Sequence, residues 1–136
     1  MKKLLLTALL CFCVNVYAET WSCTQENSSS NVVTVFSRDG KFMKKTKQFD
    51  MNEVKNSGVC KGANEDHESC KTGRFEDTYK IHFENSDRII LHELKAGGVM
   101  PHITYIYMDK EQRKVLDQYS WFFNHKTYVY KCAITQ

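Results

Sequence analysis

The chain has 136 residues, 19 Lys and Arg against 16 Asp and Glu for a net charge of +3, and 42% hydrophobic residues. This length suits one ordinary domain, and the near-neutral balance excludes the strong basic field of a general nucleic-acid or anionic-membrane binder. One proline and six glycines leave no low-complexity linker.

The N-terminus reads as a secretory signal. Lys2 and Lys3 precede an apolar run from Leu4 to Val16, too short for a membrane span, and Val16-Tyr17-Ala18 fits a small-residue cleavage site. Residues 1–18 are therefore expected to be removed, leaving one β-rich domain over 19–136 with a net charge of +1. Leu10 precedes Cys11 where a lipoprotein signal would carry a small residue, so a freely soluble product without membrane anchor is expected. The short basic start points to a bacterium, with the periplasm or the medium as destination.

Four cysteines remain after cleavage: Cys23, Cys60, Cys70 and Cys132. An even count in an exported domain reads as two disulfides. Of the three pairings, Cys23–Cys132 with Cys60–Cys70 is favoured, because the first ties the chain ends and the second closes a short polar loop. No CxxC pair suggests a zinc site.

Glu19–Thr24 reads as a first strand and Gln25–Asn31 as a polar loop. Asn31–Ser37 is rich in β-branched residues and should be a strand. Arg38-Asp39-Gly40 is a turn, with glycine where positive φ is cheap, and Lys41–Lys47 is the returning strand. Lys41, Lys44, Lys45 and Lys47 form the most basic local patch and read as a solvated edge, since lysine guards edge strands against mispairing, with an anion site as the alternative. Phe49, Met51 and Val54 suit a short helical turn without a clear cap. Cys60–Cys70 encloses an acidic loop with no hydrophobic period.

Within Phe75–Phe83, Tyr79, Ile81 and Phe83 alternate with Lys80, His82 and Glu84, the pattern of a half-buried strand. Asn85–Asp87 is a turn, Arg88–Leu94 the partner strand, and Ala96-Gly97-Gly98 a break. Ile103–Met108 is another strand, followed by a charged turn. Arg113–Phe123 and Thr127–Ile134 form a last hairpin, with Asn124–Thr127 as its polar turn. Tyr119, Trp121 and Phe123 share one face of its first arm; Tyr128, Tyr130 and Cys132 share one face of its second. About seven to nine strands joined by short turns give an all-β antiparallel meander; closure into a barrel, the favoured form, or folding into a two-sheet β-sandwich, the alternative, removes most exposed edges.

Three groups of residues could carry function. Glu65, Asp66, His67 and Glu68 bring oxygen ligands and an imidazole into one disulfide-bounded loop, as a hard cation or zinc would require. Against that, the spacing is not that of an EF-hand, and a polar surface loop needs no metal. His82 and His92 flank the 85–87 turn, with Glu84, Glu93 and His102 nearby in sequence. They form a metal or acid–base site only if the hairpin register puts both rings on one face; otherwise they are packing residues. Tyr105, Tyr107, Tyr119, Trp121, Phe122, Phe123, Tyr128 and Tyr130 fall in the final three strands; one alternate set builds the core, and the other either packs under a loop or, with Tyr105 and Tyr107 as candidates, forms a binding stripe or barrel mouth. No nucleophile elbow or H-E-x-x-H helix occurs, and every mature cysteine has a structural use.

Trp21-Ser22-Cys23 with the late Cys132 resembles the ends of bacterial inhibitors of C-type lysozymes, which are small β-barrels, and the early Trp21 is similar to that of lipocalins. The inhibitors' serine- and glycine-rich loop has only Ala96-Gly97-Gly98-Val99 as a counterpart, and Glu19-Thr20 replaces the lipocalin Gly-x-Trp start, so no functional residue transfers. The expectation is an exported, monomeric, non-catalytic binding protein without cofactor, for a small apolar ligand or a protein partner. A metal-dependent enzyme using His82, His92 and a carboxylate is one alternative. An envelope stress or assembly factor without a small ligand is the other.

Overall fold

A computed structural model describes residues 18–29, 32–56, 58–62, 66–95, 102–121 and 123–136. The expected leader up to residue 17, Glu65 and the glycine pair at 97–98 lie outside these residues. Eight antiparallel strands follow one another around a closed barrel: β1 (Thr20–Gln25), β2 (Val33–Asp39), β3 (Phe42–Gln48), β4 (Arg74–Glu84), β5 (Arg88–Lys95), β6 (His102–Asp109), β7 (Lys114–Trp121) and β8 (Asn124–Thr135). Between β3 and β4 lie α1 (Met51–Asn56), a 3-10 turn at Gly58–Cys60, and α2 (Glu68–Thr72).

Strand alternation builds the core. Trp21 and Cys23, Thr34 and Phe36, Met43 and Lys45, Ile89 and Leu91, Thr104, Ile106 and Met108, and Val115 and Asp117 are buried at period two and face the lumen. Aromatic and branched side chains fill the end where β1 begins. Trp21 Nε1 donates to Glu19 Oε1 at 3.0 Å there. Arg38 donates to both carboxylate oxygens of Glu84 at 2.6 and 2.7 Å, and Lys110 adds a bond to Glu84 at 3.2 Å. The tight turn after β2 uses Gly40 at φ 58°, and the three hairpins at this end leave little opening.

Closure runs through β1 and β8. Cys23 sits directly opposite Cys132 in that ladder, and the two are disulfide-bonded. Both partners face inward, so the bond ties the first strand to the last from within. The second disulfide, Cys60–Cys70, fastens the 3-10 turn to α2. Both favoured pairings are present, and bonds of this kind belong to an oxidising compartment.

Four local expectations change. The segment at 49–59 does hold a capped helix: Asp50 accepts from the Asn52 N–H at 2.7 Å through its side chain and from Val54 through its carbonyl. The acidic loop contains α2, whose first turn is capped by His67 and whose end is turned by Gly73 at φ 69°. In the last hairpin Trp121 pairs with Asn124, so the connection is residues 122–123 and Asn124–Thr127 belong to β8. Phe123 therefore stands 84% exposed at the tip instead of beside Tyr119. Finally, β4 slips register between Ile81 and Phe83, which puts Phe83 outside at 46% exposure although the alternation had it inside.

Candidate functional site

The same alternation that fills one end of the lumen with apolar side chains places polar ones at the other. Moving along β3, the inward positions run Met43, Lys45, Lys47; along β7 they run Val115, Asp117, Tyr119; along β6, Met108, Ile106, Thr104, His102. Of these, Lys45, Asp117, Tyr119, Thr104 and His102, with Asp77, Tyr79, Glu93, Lys126 and Tyr128, line a cup of about 270 Å³. The cup lies at the end where β3 leads into α1 and where Trp121 of β7 pairs with Asn124 of β8.

At the base of the cup the Lys45 ammonium is ion-paired with Asp117 across the lumen, from β3 to β7. Lys45 is 8% and Asp117 2% exposed. This corrects the view of the four lysines as a solvated edge. A closed barrel has no edge strand, and period two sends Lys45 inward while Lys44 stays outside beside Glu76 at 3.0 Å. Lys47 is half-buried, with its ammonium 5.4 Å from the Tyr128 ring centroid and 5.9 Å from that of Tyr130. Burial, and then the Lys45 charge, lowers its pKa.

Two phenols are held neutral. Burial pushes the Tyr79 pKa up, and the negative charges of Asp77, Asp117 and Glu93 push it further. Burial does the same to Tyr130, with Asp117 adding to it. Both remain hydrogen-bond donors and neither is an available phenolate. The cup thus offers fixed charges, neutral hydroxyls and ring faces, which suit recognition of a polar molecule.

The residues singled out from the sequence lie elsewhere. Asp66 is fully solvent-exposed, 3.8 Å from Lys71. His67 Nδ1 accepts from the Ser69 N–H at 3.4 Å as the cap of α2, and Glu68 occupies its first turn. His82 and His92 do share a face, the outer one, with ring centroids 6.2 Å apart. Tyr105 joins them on that wall, 6.2 Å from His92. His102 does not, because it faces the lumen and packs 5.7 Å from Tyr119. Among the described residues no three His, Cys, Asp or Glu side chains are grouped to hold a metal ion. Tyr107 is also on the outer wall, with Arg88 5.9 Å from its ring centroid.

Sequence reasoning missed Asp117, Thr104 and Tyr79 as site residues and had Lys45 only in a surface lysine patch. A signal was present for two of them: Lys45 and Asp117 are charges at positions in step with apolar Met43 and Val115. The outer wall carries a second feature. Phe83, Ile90, Tyr107, Leu116 and Val129 are successive register partners, so one apolar row crosses five strands from β4 to β8. Comparison with protein-family models, with curated proteins and with solved structures gives no match, so what this barrel does has to be read from its own residues.

Proposed function

We propose that the protein is an exported, non-catalytic binding protein that takes a small polar molecule into the open mouth of its barrel. The observation that carries this is the buried Lys45–Asp117 pair at the base of a preformed cup. A buried ion pair is a poor way to stabilise a core, since hydrophobic residues of similar size in its place are often neutral or stabilising. Its presence where the apolar filling stops favours a binding role over a packing role. The lining favours a polar ligand over an apolar one, because Asp77, Glu93, His102 and Lys126 ring the opening above the pair. The signal-like start and the two disulfides support export.

Native mass spectrometry of the mature protein from its own compartment, followed by thermal-shift screening with amino acids, monosaccharides and small amines, tests this. A co-purifying mass or a saturable shift, lost in a Lys45→Met/Asp117→Leu double variant that still folds, is expected. A bare mass equal to the oxidised chain, with no shift across the panel, would overturn it.

The apolar outer row from Phe83 to Val129 favours a second reading, a protein partner docked on the wall of β4–β8. A partner captured by the wild type and lost with Phe83→Ser, while the double variant above still captures it, would establish that reading instead.

A further inference from the structure

A smaller recess of about 150 Å³ opens at the same end of the barrel, between β1, β2, β3 and β8. Gln25, Thr34, Lys47, Phe49 and Tyr130 form its walls, with Ser28 and Val32 from the connection between β1 and β2. Tyr130 is 1% exposed, yet its hydroxyl has no hydrogen-bond partner among the described residues. The Thr34 side chain lies beside the phenol. Because Thr34 is itself a wall of the recess, this places the hydroxyl end of the ring on the recess side.

A buried hydroxyl without a partner is costly, and native structures rarely leave one. Lys47 lines the same space with a half-buried ammonium. Asp117 and Asp77 act on that ammonium from the direction of the cup, but neither lines the recess. Among the described residues, none of the recess walls is a carboxylate. An ammonium, a phenol, a threonine hydroxyl and a carboxamide therefore meet at one small volume that contains donors and a positive charge but lacks an anionic acceptor. A water molecule would satisfy the phenol but bring no negative charge to the recess side of Lys47. An oxyanion would do both, because charge-assisted hydrogen bonds to a carboxylate or phosphate accept from several donors at once.

We propose that this recess binds a small oxyanion, a carboxylate or phosphate group, held by the Lys47 ammonium and the Tyr130 hydroxyl. The volume suits such a group alone or as the anionic end of a larger molecule. The site does not depend on a ligand in the neighbouring cup, whose base is the Lys45–Asp117 pair.

The test is an amide NMR titration of the mature, oxidised protein with sodium acetate and with sodium phosphate, each against sodium chloride at matched ionic strength. Saturable shifts at Thr34, Lys47 and Tyr130 are expected with acetate, phosphate or both, and not with chloride. Acetate alone would assign a carboxylate and phosphate alone a phosphoryl group. Lys47→Met and Tyr130→Phe should each weaken binding at least tenfold. Tyr130→Phe removes only an unpartnered hydroxyl, so the variant should melt no lower than the wild type, and its loss of binding is then not a loss of fold. No saturable shift with either oxyanion, the same shifts with chloride, or unchanged affinity in Tyr130→Phe would overturn the proposal. None of these outcomes bears on the cup, which is read by the Lys45→Met/Asp117→Leu variant.

Discussion

Replacing Asp117 by Leu leaves the Lys45 ammonium in the lumen without its partner. Lys45 is 8% exposed and lies level with Phe36 in the ladder, so little water reaches it. Removing one member of a buried ion pair costs about 3–5 kcal/mol, because the surviving charge keeps its desolvation penalty and loses its compensation. For a domain of this size each kcal/mol is worth roughly 4 °C in Tm, so the variant should melt about 12–20 °C lower. Lys45→Met should fall in the same range for the mirrored reason. The double variant Lys45→Met/Asp117→Leu removes both charges and should return to within about 1 kcal/mol of the wild type or exceed it. Lys44→Ala, next door but outside beside Glu76, is the control and should change stability by less than about 0.5 kcal/mol. Urea unfolding of the oxidised protein, followed by tryptophan fluorescence, measures all four. Single variants within 0.5 kcal/mol of wild type, or a double variant as unstable as the sum of the singles, would refute a buried pair that spans the lumen.

Other outcomes follow from the same structure. Cys132→Ser opens a loop of 109 residues, for which chain entropy gives about 5 kcal/mol, while Cys60→Ser opens one of 10 residues and should cost nearer 3 kcal/mol; equal losses in chemical denaturation would count against the closure role of the first bond. Gly73→Ala puts a Cβ 2.8 Å from the Phe49 carbonyl oxygen at a φ of 69°, and a loss of about 1–3 kcal/mol in Cm-derived stability is expected, with an unchanged Cm as the contrary result. Hydrogen bonds from Arg38, then from Lys110, hold the Glu84 carboxyl below its ordinary pKa. A depressed folded pKa means that this contribution is fully present above about pH 4.3, the unfolded value, and is lost as pH falls through the folded value. Glu84→Gln should therefore flatten the acid limb of stability below about pH 4.3; an identical limb in both proteins would show that the pair at the closed end contributes nothing.

Alternation and turn chemistry act over a few residues, and they made the strands legible. Val33–Asp39, Gly40 and Phe42–Gln48 follow from β-branching, a positive-φ glycine and a period of two. The inward set of Tyr128, Tyr130 and Cys132 follows from the same period, and the even count of four cysteines after residue 18 pointed to two disulfides, the favoured first one tying the chain ends. Short-range signals failed where two local solutions differ little. Asp50 and His67 are caps only once a helix forms beneath them, and the β4 slip that expels Phe83 leaves no mark in an alternating sequence. The site was a different kind of problem. That Lys45 and Asp117 face inward is a matter of parity, available from the sequence by counting from Met43 and Val115. That they meet is not, since they lie 72 residues apart on strands that touch only across the lumen. Barrel closure and strand stagger decide which inward side chains share a level, and these depend on all eight strands together. The same closure left His82 and His92 on the outer wall, away from His102, and brought Tyr130, Thr34 and Lys47 around one recess.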